Sequence, residues 1–553
     1  MLGIQTDNLK GDIYGGLTAG VVALPLALAF GEASGAGPIA GLYGAIIVGF
    51  FASLFGGTGP QVSGPTGPMV VVFAGVYAAL EGNPSLVFTV VVLAGLMQIG
   101  FGILKFGQYI RLVPYPVISG FMSGIGCIII ALQTSRLFGH EPEGSGTIPA
   151  LVEIPGAVID PNFAALGIGV LTLIIVFKWP AEFGKFVPAP LAGLIIGTVT
   201  SLFVAGAPIL GSIPTGLPTF IMPSINQDSL FIVVEAAFIL ALLGSIDSLL
   251  TSLVADNMTR TRHNSNKELI GQGVGNALAG LFGGIASAGA TMRTVVNIRT
   301  GGSTKISGML HSVLLLAIVV ALAPMAALIP HTVLAAILIK TGWDIIDRAY
   351  ILKAHRGPRW DLALMMLVLS LTVFVDLITA VIAGVVMAAL AFVKQIADHE
   401  LEQLRDITND GLSVHFTEEE AELMTHSHER INIFDFGGPL SFGAAADVGH
   451  QVREKSGKLS QVTILDFSQV PFIDSSAARA VETIANDGEV ANKLVYISGM
   501  NKEVRDVLVG LMGQVIPKDH FFETRRDAIA AAVEFVESTE GKLERANAEV
   551  ALA

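Results

Sequence analysis

Two short segments of the chain share a residue pattern that could bind an anion. The sequence Leu-Phe-Gly-Gly occurs at residues 54–57 and again at 281–284, and a threonine follows each copy, Thr66 after nine residues and Thr291 after seven. Each threonine opens a short apolar segment. Matched, interrupted segments in two halves of a chain are typical of carriers built from two repeats, with the binding site where the repeats meet.

The chemistry of such a site comes from the backbone. A helix that begins at membrane depth has several N–H groups without helical partners and a partial positive charge at its start. Two helix starts that face each other could therefore hold an anion. Thr66 and Thr291 could cap these helices or donate a hydroxyl to the anion, and Gly67 and Gly289 would permit close backbone approach.

Two ionisable residues lie in the apolar part of the chain, where charge is costly and indicates function. Arg293 lies two residues after Thr291 and could bind an anion or pair with a carboxylate. Asp247 lies in the apolar stretch 238–256, and Thr251 follows it by four residues, on the same helical face. Their oxygens are hard ligands that suit Na⁺; alternatively, Asp247 could carry a proton.

Composition separates an apolar body from an acidic tail. The 553 residues are 52% hydrophobic and only 14% charged, whereas a soluble domain carries about 25% charged residues. We count 18 basic and 18 acidic residues in 1–395, but 14 and 28 in 396–553, so the net charge of −14 lies in the tail. An acidic tail argues against binding to nucleic acid or to an anionic lipid surface. A single cysteine excludes an internal disulfide.

The body predicts a polytopic α-helical membrane protein with about fourteen elements. Both termini should then lie on one side, and Arg260, Arg262, Lys267 and the basic cluster 353–359 mark that side as cytoplasmic. The predicted location is the cell membrane, with the N-terminus and the tail in the cytoplasm. The predicted spans are 13–32, 38–56, 85–105, 112–132, 162–179, 188–207, 229–254, 305–328, 331–348, 360–375 and 377–394, with shorter apolar stretches at 66–80, 268–285 and 291–300.

The tail alternates short β-like runs with helical stretches, which predicts an α/β domain. The predicted organisation is a membrane domain over 1–395, a connector over 396–430, a soluble domain over 431–540 and a tail over 541–553.

These residues resemble the sulfate permease (SulP) family over nearly the whole chain. The segments that carry the resemblance are 11–20, 23–31, 63–68 and 263–273, and the turn 466–477 is similar to the STAS signature. The resemblance implies two inverted repeats of seven segments, a core and a gate domain, an elevator-like motion, a homodimer and a C-terminal STAS domain.

Within that family the chain looks most like the cyanobacterial-type sodium-dependent bicarbonate carriers. The resemblance places Na⁺ at Asp247, Thr251, Gly289 and Thr291. It places the anion beside Thr66, Gly67, Ala29, Met292, Arg293 and Thr294. One residue departs from the pattern of this subgroup. The bicarbonate carriers have a glycine at the position of Arg293, whereas many sulfate and dicarboxylate relatives have an arginine. A guanidinium close to Asp247 could replace Na⁺ as its counter-ion, since two unit charges at about 4 Å interact by about 4 kcal/mol.

The soluble domain carries a candidate regulatory site. In the related anti-sigma-factor antagonists, a serine in the matching Asp-Ser-Ser turn is phosphorylated, which makes Ser475 and Ser476 the candidates here. The alternative is that Asp474, Ser475 and Ser476 only cap a helix. The domain could also bind a cytoplasmic partner or ligand.

The sequence therefore predicts a secondary carrier, with Na⁺-coupled bicarbonate uptake as the leading hypothesis. A sulfate or C4-dicarboxylate carrier, proton-coupled or an exchanger, is the alternative. A third hypothesis is an anion channel or a sensor that signals through the STAS domain. The sequence contains no Walker motif and no nucleophile–base pair, so we predict neither an ATP-driven pump nor an enzyme, and no cofactor other than Na⁺.

Overall fold

The structure is a computed structural model that describes residues 7–110, 113–141, 147–184, 187–204, 206–211, 218–375, 377–408, 416–425, 429–456, 459–512 and 516–552. The chain divides into two compact units, Met1–Ala388 and Ala389–Ala553. Each unit is described by itself.

The first unit is helical, with two very short strands. Its helices are α1 (Leu9–Ala33), α2 (Pro38–Phe55), α3 (Gly67–Ala79), α4 (Pro84–Ile103), α5 (Gly107–Ile110), α6 (Tyr115–Leu137), α7 (Thr147–Ile159), α8 (Phe163–Lys178), α9 (Ala181–Gly184), α10 (Ala189–Ser201), α11 (Leu230–Thr259), α12 (Ser265–Leu281), α13 (Thr291–Arg299), α14 (Lys305–Ala326), α15 (His331–Ile345), α16 (Arg348–Ile351), α17 (Arg359–Phe374) and α18 (Leu377–Glu402), which continues into the second unit. A 3₁₀ turn covers Ala354–Arg356, and the strands are β1 (Ser63–Gly64) and β2 (Ala288–Gly289).

The predicted membrane fold is confirmed. Each of the fourteen predicted elements is a helix, namely α1–α4, α6, α8, α10–α15, α17 and α18. By length and composition, six helices in the described part of the chain could each cross a membrane, and α7 and α8 form a further pair bent by 112°. The interrupted helices α3 and α13 have only 13 and 9 residues. At about 1.5 Å per residue they cannot cross a hydrocarbon layer of about 30 Å, so they begin inside it.

The helices of the first unit pack into two groups. The core domain joins α1–α4 to α11–α14, with α12 against α2 and α4 and with α14 against α1 and α2. The gate domain joins α6–α10 to α15–α17, with α6 against α15 and α17 and with α8 against α10 and α15. Each group therefore combines the same part of both halves, as expected of two repeats.

The two halves meet at β1 and β2. The strands are antiparallel, with Ser63 opposite Gly289 and Gly64 opposite Ala288. Helices α3 and α13 begin within three residues of these strands. The strand pair therefore fixes where both interrupted helices start.

The second unit is the predicted α/β domain. Its sheet has the order β3 (Leu404–Asp406), β4 (Ile431–Gly437), β5 (Val462–Gln469), β6 (Leu494–Ser498) and β7 (Phe521–Phe522), with β3 antiparallel to β4 and the other pairs parallel. Its helices after α18 are α19 (Glu418–Met424), α20 (Phe442–Lys455), α21 (Ser475–Val490), α22 (Lys502–Met512) and α23 (Arg525–Leu552), with a 3₁₀ turn at Lys518–His520.

Two segments of this unit contain more secondary structure than the sequence predicts for them. Residues 396–430, expected as a connector, contribute strand β3 and helix α19. Residues 541–553, expected as a tail, continue α23 as far as Leu552. Strand β3 has only three residues, too few for a sequence pattern to indicate a strand, and its partner β4 stabilises it.

Glycines set the spacing of helices α4 and α12. A Cβ atom built on Gly95 would lie 2.3 Å from the backbone nitrogen of Ala277, whereas one built on Gly100 meets nothing within 4 Å. Gly95 therefore faces the backbone of α12, and Gly100 of the same helix does not.

We expect Gly95→Ala to destabilise the protein by about 1–3 kcal/mol, because the added methyl group overpacks the α4–α12 contact. Gly100→Ala is the matched control and should be neutral or stabilising by about 0.5–1 kcal/mol, since alanine favours a helix. Thermal unfolding of the purified variants checks this. Equal melting temperatures for the two variants would contradict the packing of α4 on α12.

Candidate anion and cation site

The starts of α3 and α13 form the centre of the candidate site. The first helical hydrogen bonds run from the Val70 amide to the Thr66 carbonyl oxygen at 3.0 Å and from the Thr294 amide to the Ala290 carbonyl oxygen at 2.9 Å. The N–H groups before these two have no helical acceptor and carry the positive end of each helix dipole, although Pro68 of α3 contributes no N–H group. This is the backbone chemistry that binds anions.

Neither threonine caps its helix through its side chain. Thr66 occupies the N-cap position of α3, but its hydroxyl donates to Asp247 Oδ2 at 2.7 Å. Thr291 is the first residue of α13, and Ala290 occupies the N-cap position. The capping alternative is therefore wrong for both residues, because a buried carboxylate accepts from the Thr66 hydroxyl and the α13 helix starts one residue earlier than capping by Thr291 requires.

The predicted cation ligands come together around α11. The Thr251 hydroxyl donates to the Gly289 carbonyl oxygen at 2.9 Å and lies 2.7 Å from the Thr291 hydroxyl. Asp247 lies one turn earlier on α11, is 6% exposed and accepts from Thr66. Thr251, Gly289 and Thr291 thus bring a carbonyl and two hydroxyl oxygens together, and Asp247 adds a carboxylate one helical turn earlier on α11. Such oxygens suit a hard cation.

Both predicted glycines stand at close approaches. A Cβ on Gly289 would lie 2.3 Å from Gln61 Nε2 and 3.0 Å from the Ser248 Cα, so β2 lies directly against α11. A Cβ on Gly67 would lie 2.8 Å from Ile129 Cδ1 and 2.9 Å from Ile345 Cδ1, which belong to α6 and α15 of the gate domain. The start of α3 therefore lies at the boundary between the core and gate domains.

Arg293 lies inside the core domain. The residue is only 2% exposed, and its Nη2 donates to the Pro65 carbonyl oxygen at 2.5 Å. No ion pair joins it to Asp247 among the described residues. A Cβ on Gly64 would lie 2.2 Å from Nη1, so a glycine at that position makes room for the guanidinium. The charge of Arg293 thus lies beside the chain that leads into α3.

The other predicted anion contacts differ in position. Ala29 is fully buried in α1, and Met292 is exposed. The Thr294 hydroxyl accepts from the Val62 amide at 3.1 Å. Thr294 therefore holds the segment just before β1, a role that a sequence pattern does not indicate.

Glu268 is a buried residue whose role sequence reasoning missed. It is 1% exposed, and Oε2 accepts from the amides of Gly57 and Thr58 at 2.8 and 2.9 Å. Oε1 accepts from Gln61 Nε2 at 3.0 Å and from Gln272 Nε2 at 2.9 Å. Its position in a predicted apolar element was the available signal, since carboxylates there are rare and functional.

The Asp-Ser-Ser turn of the second unit forms a helix cap. Asp474 Oδ1 accepts from the amides of Ser476 and Ala477 at 2.9 and 2.8 Å, at the start of α21. Ser475 and Ser476 are exposed. The capping interpretation is therefore confirmed for Asp474, and phosphorylation of the serines stays a prediction.

Comparisons with known proteins agree with this architecture. The Sulfate permease family matches residues 9–368, and the STAS domain matches residues 422–528. The bicarbonate transporter BicA of Picosynechococcus sp. is 41% identical over 545 residues, which cover 96% of each chain. The solved transmembrane domain of a cyanobacterium bicarbonate transporter BicA is 47% identical, with a TM-score of 0.65 over 68% of this chain and 98% of that one. SLC26A9 shares the fold, with 18% identity and a TM-score of 0.80 over 98% of this chain and 92% of that one.

We expect Gly64→Ala to destabilise the protein by about 1–3 kcal/mol, because its methyl group would collide with Arg293 Nη1. Removing the guanidinium should relieve the collision, so Gly64→Ala should cost much less in an Arg293→Gly background. A double-mutant cycle of thermal unfolding measures this coupling. Additive effects of the two substitutions would contradict the position assigned to the guanidinium.

Proposed function

We propose that this chain, which belongs to the sulfate permease family of anion transporters, imports bicarbonate together with Na⁺. In this proposal the anion binds at the starts of α3 and α13. The Na⁺ ion binds Asp247, Thr251, Gly289 and Thr291.

The observation that carries the sodium part is the environment of Asp247. This buried carboxylate accepts from the Thr66 hydroxyl, and no basic side chain pairs with it in the described part of the chain. A buried charge without a counter-charge is costly. Arg293, the nearest basic residue in sequence to the cation ligands, donates instead to a backbone carbonyl oxygen. A bound cation would supply the missing charge.

Thr66 supports coupling between the two sites. Its hydroxyl contacts Asp247, and its backbone stands at the start of α3, where the anion would bind. A cation at Asp247 would therefore lie close to the anion, and two unit charges at about 4 Å attract by about 4 kcal/mol at an effective dielectric near 20. Because such coupling is reciprocal, the anion would also strengthen Na⁺ binding.

The separation of the first unit into core and gate domains supports an elevator-like motion, in which the core domain carries both sites past the gate domain. We also propose a homodimer, with the N-terminus and the STAS domain in the cytoplasm. These proposals come from the family resemblance and from the distribution of basic residues. Phosphorylation of Ser475 or Ser476 is proposed on the same resemblance.

Bicarbonate is preferred as substrate because the relative that is 41% identical bears the name of a bicarbonate transporter. The second candidate is sulfate or a C4-dicarboxylate. It is favoured by Arg293, whose buried charge beside Pro65 adds positive potential behind the start of α3.

We expect Thr251→Val to raise the Na⁺ concentration for half-maximal uptake at least about tenfold, equivalent to about 1.4 kcal/mol of lost ion binding. Thr134→Val is the matched control, because the Thr134 hydroxyl donates to the Ile130 carbonyl oxygen of its own helix, α6. Labelled bicarbonate uptake into vesicles at a series of Na⁺ concentrations measures both. Wild-type uptake that is indifferent to Na⁺ would overturn the coupling.

Competition by unlabelled sulfate, fumarate and bicarbonate tests the substrate separately. Bicarbonate should compete best, and stronger inhibition by sulfate or fumarate would select the second candidate. Currents that reverse at the Nernst potential of the anion, without cation flux, would instead indicate a channel.

A further inference from the structure

A crevice separates the core and gate domains beyond the start of α3. Its volume is about 570 Å³, and its walls come from α1, α3, α6, α7 and α17, with the first residue of α18 and the loop residues next to α1 and α17. Val71 of α3 lines it and lies four residues after Gly67, about 6 Å along the helix. Gly67, at the start of α3, lies against Ile129 and Ile345 of the gate domain. The crevice therefore begins about one helical turn along α3 from the candidate anion site.

Arg136 is the only charged residue among the described residues that line this crevice. Its other polar lining residues, such as Ser34, Gln133 and Thr372, are neutral. A guanidinium in a mostly apolar, partly enclosed space attracts an anion more strongly than one in open water, because the surrounding dielectric is low.

The guanidinium of Arg136 is incompletely paired. Nη2 lies 3.3 Å from Glu141 Oε2, and Nε is buried without a hydrogen-bond partner in the described part of the chain. The Arg136 side chain is 15% exposed, whereas Glu141 is 57% exposed. An exposed ion pair of this kind is weak. An anion that reaches Arg136 would therefore compete with a weak partner, and a guanidinium can bind a planar anion through two parallel bonds.

Glu141 has a second partner close by. Its Oε1 lies 3.4 Å from His331 Nδ1, and the same nitrogen lies 3.1 Å from Glu32 Oε1 of the core domain. Glu141 could therefore leave Arg136 and keep a partner in His331. An arriving anion could therefore replace the Glu141 carboxylate on Arg136 without leaving that carboxylate unpaired.

We propose that the crevice is the entrance of the anion pathway at this end of the core–gate boundary and that Arg136 binds the arriving anion there, in competition with Glu141. The inference rests on anion transport by this family. It depends neither on the identity of the anion nor on Na⁺.

Uptake kinetics distinguish anion binding by Arg136 from a purely structural role of the Arg136–Glu141 ion pair. Arg136→Gln should raise the half-saturating anion concentration several-fold, up to about tenfold, with a smaller effect on the maximal rate, because electrostatic attraction acts on encounter. Glu141→Gln should lower the half-saturating anion concentration, because the substitution removes the carboxylate that pairs with the guanidinium. If the ion pair only holds the fold together, both substitutions break it and should shift the half-saturating concentration in the same direction, which would overturn the proposal.

The control substitution is Arg348→Gln, which removes another gate-domain arginine that contacts Trp343 rather than the crevice. It should leave the half-saturating concentration unchanged. The effects at Arg136 and Glu141 should also shrink when ionic strength rises from about 0.01 M to about 0.15 M, since the Debye length falls from about 30 to about 8 Å. An effect of Arg136→Gln that is indifferent to salt would count against electrostatic attraction.

A second measurement needs no transported substrate. Ala74, which lines the crevice, can be replaced by cysteine in a Cys127→Ser background, and the full chain in nanodiscs can be treated with an anionic or a cationic thiosulfonate reagent. The anionic reagent should react relatively faster when Arg136 is present, and Arg136→Gln should lower the ratio of the two rates several-fold. An unchanged ratio would overturn the assignment of Arg136. This outcome does not depend on whether the proposals for bicarbonate and Na⁺ are correct.

Discussion

Backbone that is not helical at membrane depth must find hydrogen-bond partners within the protein, because lipid offers none. Two such stretches lead into α3 and α13, and they satisfy part of this requirement by pairing β1 with β2. Two residue pairs are too few to satisfy the whole of both stretches. Other backbone groups meet some of the remainder, as the Ala290 amide does by donating to the Val62 carbonyl oxygen at 2.8 Å. Side chains meet others, and this need explains much of the buried polarity of the core domain.

For the stretch that leads into α3, the side chains that meet this need come from the opposite half of the chain. Glu268 accepts from the amides of Gly57 and Thr58, and Asn297 Nδ2 donates to the Pro60 carbonyl oxygen at 2.8 Å. Arg293 donates to the Pro65 carbonyl oxygen. The first unpaired stretch is thus held along its length by residues from α12 and α13. Since the Arg293 guanidinium donates to a backbone carbonyl oxygen, Asp247 keeps a hydroxyl partner and has no basic side chain paired with it among the described residues.

The sequence was sufficient to predict the elements but insufficient to predict their partners. Apolar length located the helices, and the repeated motif identified α3 and α13 as interrupted, because both signals are local. The bond from Arg293 to Pro65 joins residues 228 positions apart. Arg293 could reach an anion, a carboxylate or a carbonyl oxygen, and only the packed β1–β2 pair selects among them. The same reason explains why Thr66 donates to Asp247 rather than capping α3, since that contact spans 181 positions.

The boundary between core and gate domains combines two kinds of contact with different consequences. Around Gly67 it is apolar and close, because only a hydrogen separates the α3 backbone from the side-chain ends of Ile129 and Ile345. Such a contact has no directional bonds to break if one domain moves relative to the other. Near Glu32 the contact is polar, and His331 lies between carboxylates of both domains. Separating the domains there exposes charges that water can solvate, which compensates for the lost ion pairs. Both kinds of contact are compatible with the elevator-like motion proposed above, in which the core domain moves past the gate domain.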